Sequence, residues 1–166
     1  MRLRPADWGV LVGATGLLLT LFMDWYEVAG AYVTRSADEP LVVQPTGWAS
    51  LGWLTVTLLA LCIAAGLLLV VLLAAGVGDW ANLVPAAVLF VLGPPTLLVL
   101  IIVVLLQPGL GSGLPNEIVS LTTAGWIGIA CAVLLAGSGL ASLHDERRTS
   151  PDRLVTPPVP RPAPPA

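Results

Sequence analysis

Lysine is absent from this chain, and charge of either sign is scarce, at 10% of 166 residues. A soluble domain averages roughly 25%, so most of this chain cannot present an ordinary water-facing surface. The net charge of −3 is small and by itself says nothing about nucleic acid, which is not among the expected partners. His144 is the only histidine, and Cys62 and Cys131 are the only cysteines. Both cysteines lie deep in apolar runs, with no CxxC and no Cys/His cluster, so neither a zinc site nor a disulfide framework is expected. No cofactor site is expected either. Strict alternation of apolar and polar residues is missing, which excludes barrel strands.

What is present is apolar residue in long runs: 57% of the chain is hydrophobic and the mean hydropathy is +0.92. A chain this apolar cannot hide its surface in one small core, and lipid is the solvent that fits. A membrane helix needs about 20 mostly apolar residues. Four runs qualify, at 8–23, 50–75, 83–106 and 121–143, the first at the short end of the range. Helices are the way to satisfy their backbone groups in lipid. The expected fold is therefore all-α: an integral membrane four-helix bundle with antiparallel neighbours over residues 1–148. A disordered Pro-rich tail is expected over 149–166, where Pro151, Pro157, Pro158, Pro160, Pro162, Pro164 and Pro165 favour polyproline II.

Orientation follows from arginine. Arg2 and Arg4 precede the first run, and Arg147, Arg148, Arg153 and Arg161 follow the fourth. Only Arg35 lies in a connecting loop. The positive-inside rule then places both termini in the cytoplasm of a multi-pass plasma-membrane protein. The loop 24–46 is external and acidic, with Asp24, Glu27, Asp38 and Glu39. A rival reading takes Arg2, Arg4, the first apolar run and Ala29-Gly30-Ala31 as a signal peptide with its cleavage site. The bulky, charged Asp24-Trp25-Tyr26-Glu27 approach argues against it.

Small residues mark candidate helix contacts, because they let membrane helices approach closely. Ala124, Gly128, Ala132 and Ala136 recur every four residues in the fourth run, and Gly9 and Gly13 form a GxxxG in the first. Packing within one chain is the expected use, and a homo-oligomer or partner-subunit face is the alternative. Gly93-Pro94-Pro95 predicts a kink in the middle of the third run. Asp24 is expected at headgroup level, Asp7 near a helix N-terminus, and His144 near a helix C-terminus, where each charge suits the dipole. Gly109-Leu110-Gly111-Ser112-Gly113 lacks the preceding strand and following Lys of a phosphate loop, and reads as a flexible connection.

Asp24-Trp25-Tyr26 follows the first run, and Thr46-Gly47-Trp48-Ala49-Ser50-Leu51-Gly52-Trp53 leads into the second. This pairing resembles a recurrent family of small, uncharacterised four-span membrane proteins from high-GC, actinobacterial-type bacteria. The exclusive use of arginine among the basic residues points to the same kind of genome. The resemblance covers the first two runs and their loop. It implies a membrane location and no established activity, so no site residue carries over from it. Trp25, Tyr26, Trp48 and Trp53 are expected to cluster at the outer membrane interface as anchors, each ring with one apolar and one wet face. Claudin-like four-span proteins share a W…GLW element, but the pair of loop cysteines that follows it there is missing here.

Function is read mainly by exclusion. A nucleophile with a base, or a metal cluster, is missing, so no catalytic residue is expected. A transporter or channel would need intramembrane charge or a polar lining, and the runs offer only hydroxyls such as Thr20, Thr55, Thr57, Thr96, Thr122 and Thr123. The leading expectation is a non-enzymatic scaffold or accessory subunit whose partners are the lipid bilayer and a membrane protein or second copy. A small transporter or channel component is the alternative.

Overall fold

The computed structural model describes residues 5–28, 46–76, 79–106 and 119–149. Most of the loop 24–46, the 109–113 connection and the Pro-rich segment beyond Thr149 lie outside the described residues. The order is α1 (Pro5–Leu21), β1 (Tyr26–Val28), α2 (Gly47–Ser50), α3 (Trp53–Ala75), α4 (Asp79–Leu106), β2 (Val119–Leu121) and α5 (Thr123–Thr149). The molecule is mostly helical. Three helices are long and apolar enough to cross a membrane: Trp53–Ala75, Asn82–Leu106 and Thr123–Ser142. This is a membrane protein by the length and composition of those helices.

α1 is equally apolar but has 17 residues, about 25 Å at 1.5 Å per residue. It ends two residues before the expected boundary. There the chain tightens into a turn, with Phe22 N–H donating to the Leu19 carbonyl and Met23 N–H to that of Thr20.

The expected continuous second run is also broken. α2 stops at Ser50, and α3 begins at Trp53 after Gly52, whose φ is 74° and ψ 151°. That backbone region is essentially glycine's alone, so the sequence turns a corner here that its hydropathy does not show. The far end of α3 closes on Gly76, left-handed at φ 67°, as helix C-termini commonly do. α4 then starts at Asp79 and runs unbroken through Pro85, Pro94 and Pro95.

An all-α fold is corrected in one respect. β1 and β2 form a two-stranded antiparallel ladder, with Tyr26 opposite Leu121, Glu27 opposite Ser120 and Val28 opposite Val119. Leu121 therefore belongs to a strand, and α5 starts at Thr123 instead of 121.

The four long helices form a ring in which α1 and α4 each pack on both α3 and α5. Ring neighbours run antiparallel, as successive contacts along α1 and α5 require. A methyl group on Gly9 would strike Ser138, one on Gly13 the Leu135 backbone at 2.8 Å, and one on Gly16 the Cys131 sulfur at 2.7 Å. The core lies along the ring axis, with Val10, Ala14, Leu17 and Leu21 of α1 wholly buried together with Leu89 and Leu100 of α4. At the centre, a Cβ on Gly66 of α3 would lie 3.1–3.3 Å from Leu135, Ala14 and Val10. The axis is filled at that level.

Candidate functional site

The densest set of specific interactions lies where α1 ends and α3 and α5 begin. Trp25 is its centre, and its side chain has no exposed surface. Its Nε1–H donates to the Thr20 carbonyl at 2.7 Å, which lies in the last turn of α1 and also accepts from Met23 N–H at 3.0 Å. The indole lies between two glycines from distant parts of the chain. A Cβ on Gly47 would be 2.7 Å from Trp25 Nε1 and 2.9 Å from Cδ1, and one on Gly128 would overlap Cζ2 and Cη2. Any side chain at either position would occupy the ring's place.

Backbone bonds hold this frame on both sides. Gly47 N–H donates to the Met23 carbonyl at 3.2 Å, and Thr122 N–H donates to the Trp25 carbonyl at 2.9 Å. Asp24 and Thr46 form an isolated antiparallel bridge. The Thr122 hydroxyl donates to the Asp24 carbonyl and accepts from Gly125 N–H at 3.3 Å. That second bond is an N-cap for α5, satisfying a donor that the first turn would otherwise leave open. The DWY segment, the TGW segment and the start of α5 are thus one unit.

The expected aromatic anchors divide into two pairs. Trp48 and Trp53 are exposed, at 37% and 80%, and Trp48 stacks edge-on against Phe22 with ring centroids 5.6 Å apart. Trp25 and Tyr26 are not anchors with one wet face; they are core residues, at 0% and 3% exposure. The reason is that β1 pairs with β2 through Tyr26, and Trp25 just before it is held between Gly47 and Gly128. The Tyr26 hydroxyl is buried with no hydrogen-bond partner, and burial pushes its pKa above the ordinary tyrosine value.

The small residues likewise serve more than one contact. Gly9 and Gly13 face α5, and Gly16 extends their stripe. On α5, Gly128 lies under Trp25 and beside Thr20, while Ala136 lies 3.5 Å from where a Cβ on Gly93 of α4 would be. Ala132 is buried and Ala124 half-buried. Asp7 is buried near the start of α1, and the side chain of His144 lies outside the described residues. The sequence marks Gly47 only as part of the TGW motif and Thr122 only as a hydroxyl, and gives no sign of Gly125. Their neighbourhood was visible in the TGW motif, but nothing local to them signals a tryptophan from another segment.

Polar side chains inside the ring are few. Thr20 donates to the Leu17 carbonyl at 2.9 Å, and Cys62 of α3 donates through its thiol to Thr96 Oγ1 of α4 at 3.5 Å. Among the described residues no three His, Cys, Asp or Glu side chains come together as a metal would need. What this arrangement does is mechanical: it ties the end of α1, the short α2 and the first turns of α5 to one buried ring. No protein-family model, curated protein or solved structure matches the chain.

Proposed function

We propose that the chain is a non-enzymatic four-span protein of the plasma membrane, acting as a scaffold or accessory subunit, with both termini cytoplasmic. The observation that carries this reading is the filled axis at Gly66, where α1, α3 and α5 meet side chain to side chain. A transport path needs a polar lining, and here the interior hydroxyls of Thr20 and Thr96 are engaged with neighbouring groups. α1 counts as the fourth span because its outward side, with Trp8, Val12 and Leu19 and then Phe22 just beyond its end, is apolar except for Thr15, a face suited to lipid. Its glycine contacts with α5 support its retention, against removal as a signal peptide.

Cysteine-accessibility labelling at Ala37 and Ser150, in a background lacking Cys62 and Cys131, tests the topology. Ala37 is expected to react from outside the cell and Ser150 only after permeabilisation; external reaction of Ser150 overturns it. Proteoliposomes of the purified chain are expected to pass no ions or small solutes above empty vesicles. A saturable flux would return the protein to the transporter class.

A further inference from the structure

The outward side of α4 carries a chemical demand that lipid does not meet. Pro94 and Pro95 lie inside the helix, and neither has the N–H that would bond to the carbonyl four residues earlier. Those carbonyls belong to Phe90 and Val91. Phe90 is 43% exposed and Val91 63%, and both prolines are exposed as well, whereas Gly93 beside them is buried. The nearest hydroxyl along the helix, Thr96, points inward to Cys62. Residue 90 lies 11 positions after 79 and residue 91 lies 15 before 106, the two ends of α4. In a membrane that is mid-depth, away from water, where a carbonyl without a donor is costly.

We propose that this face of α4 is the docking surface for a membrane-spanning helix of a partner protein, one that presents a carboxamide or hydroxyl donor to the Phe90 and Val91 carbonyls. The proposal rests on the reading of the chain as a membrane-embedded accessory unit and names the face that does the work. Hydrogen-bond complementarity selects the occupant. Lipid tails and wholly apolar helices offer no donor. A second copy offers Thr15, an exposed residue on α1. Through α5, however, Gly16 is level with Cys131 and Gly93 with Ala136. That places Thr15 about one and a half helical turns, ~8 Å, from the level of Phe90 and Val91, beyond hydrogen-bond reach.

The test uses the full chain, donor-labelled, in phosphatidylcholine–phosphatidylglycerol vesicles. The probe is an acceptor-labelled Leu/Ala transmembrane peptide with either Asn or Leu at its centre. Energy transfer should report the Asn peptide binding about three- to tenfold more tightly than the Leu peptide, the range of interhelical hydrogen bonds in membranes. Pro94→Ala combined with Pro95→Ala returns donors to both carbonyls. It should abolish that preference while leaving thermal stability in detergent unchanged or higher. Val91→Trp, with the prolines intact, should block the peptide sterically. Equal binding of the two peptides, or a preference that survives the double substitution, overturns the proposal. So does self-association lost in Thr15→Val, which would give the face to a second copy. A chain that fails to float with the vesicles overturns the embedded reading as well; one that floats without discriminating overturns this inference alone.

Discussion

Trp25 shows how a single ring can set requirements on residues far away in sequence. Its indole fills the space that Gly47 and Gly128 leave open, so those glycines are needed for room and not for backbone freedom. Overpacking a tight site costs about 1–3 kcal/mol. Gly47→Ala and Gly128→Ala should each lower thermal stability in detergent by that order. Gly137→Ala is the control, since a methyl group there meets nothing within 4 Å. Equal loss in all three would refute the frame. Tyr26 makes the opposite case, a buried hydroxyl without a partner. Such a group costs about 1–3 kcal/mol, so Tyr26→Phe should stabilise the protein. Burial raises the folded-state pKa of Tyr26 above its unfolded value near 10. The neutral phenol therefore favours the fold fully below about pH 10, and that contribution is lost as pH rises through the folded value. The wild type should lose stability above about pH 10, the unfolded value, more steeply than Tyr26→Phe. Parallel pH curves for the two proteins would refute this assignment.

At the scale of elements, what decides the architecture is where helices stop and how closely they touch. α1 and α5 approach through Gly9, Gly13 and Gly16, and at Gly13 the obstacle is the Leu135 backbone, 2.8 Å from a would-be Cβ. Backbone cannot rotate away as a side chain can. Gly13→Leu should therefore cost more than the same change at Gly9, where the obstacle is the rotatable Ser138 hydroxyl, and the difference is readable as membrane abundance. Gly52 isolates the other factor. Nothing lies within 4 Å of a Cβ there, yet φ is 74°. Gly52→Ala should cost about 1–3 kcal/mol through backbone strain alone, and an unchanged melting temperature would refute that. These same elements explain what could be read from the sequence. The helices are legible because hydropathy over some twenty residues is a sum, tolerant of local detail. Gly9 and Gly13 are legible because their contact repeats with the helix. The break at Gly52 and the β1–β2 ladder are not, since three-residue strands have no periodicity and Tyr26 meets Leu121 only through the tertiary fold. Trp25 was misread for the same reason: an aromatic after an apolar run fits the membrane interface equally well, and only its distant partners Gly47 and Gly128 place it inside.

At the scale of the whole molecule, the helices differ in length and are locked in register. α1 has 17 residues and α3 has 23, about 25 Å and about 35 Å respectively at 1.5 Å per residue. A typical hydrocarbon core is about 30 Å thick. The longer helix can tilt or extend into the headgroups, but α1 can do neither independently. Its glycines grip α5 at Gly9, Gly13 and Gly16, and Trp25 clamps its end to α2 and α5. If α1 spans, as proposed, the bilayer must adjust to the bundle, at fractions of a kcal/mol per Å of mismatch. Thermal stability in vesicles should then peak near a hydrocarbon thickness of about 25–28 Å and fall in thicker bilayers. The decline should be gentler in Trp25→Ala, where the clamp is gone and α1 can shift against its neighbours. Stability that rises steadily with thickness, in step with α3 and α4, would mean that α1 does not cross the hydrocarbon, leaving three spans with the termini on opposite sides.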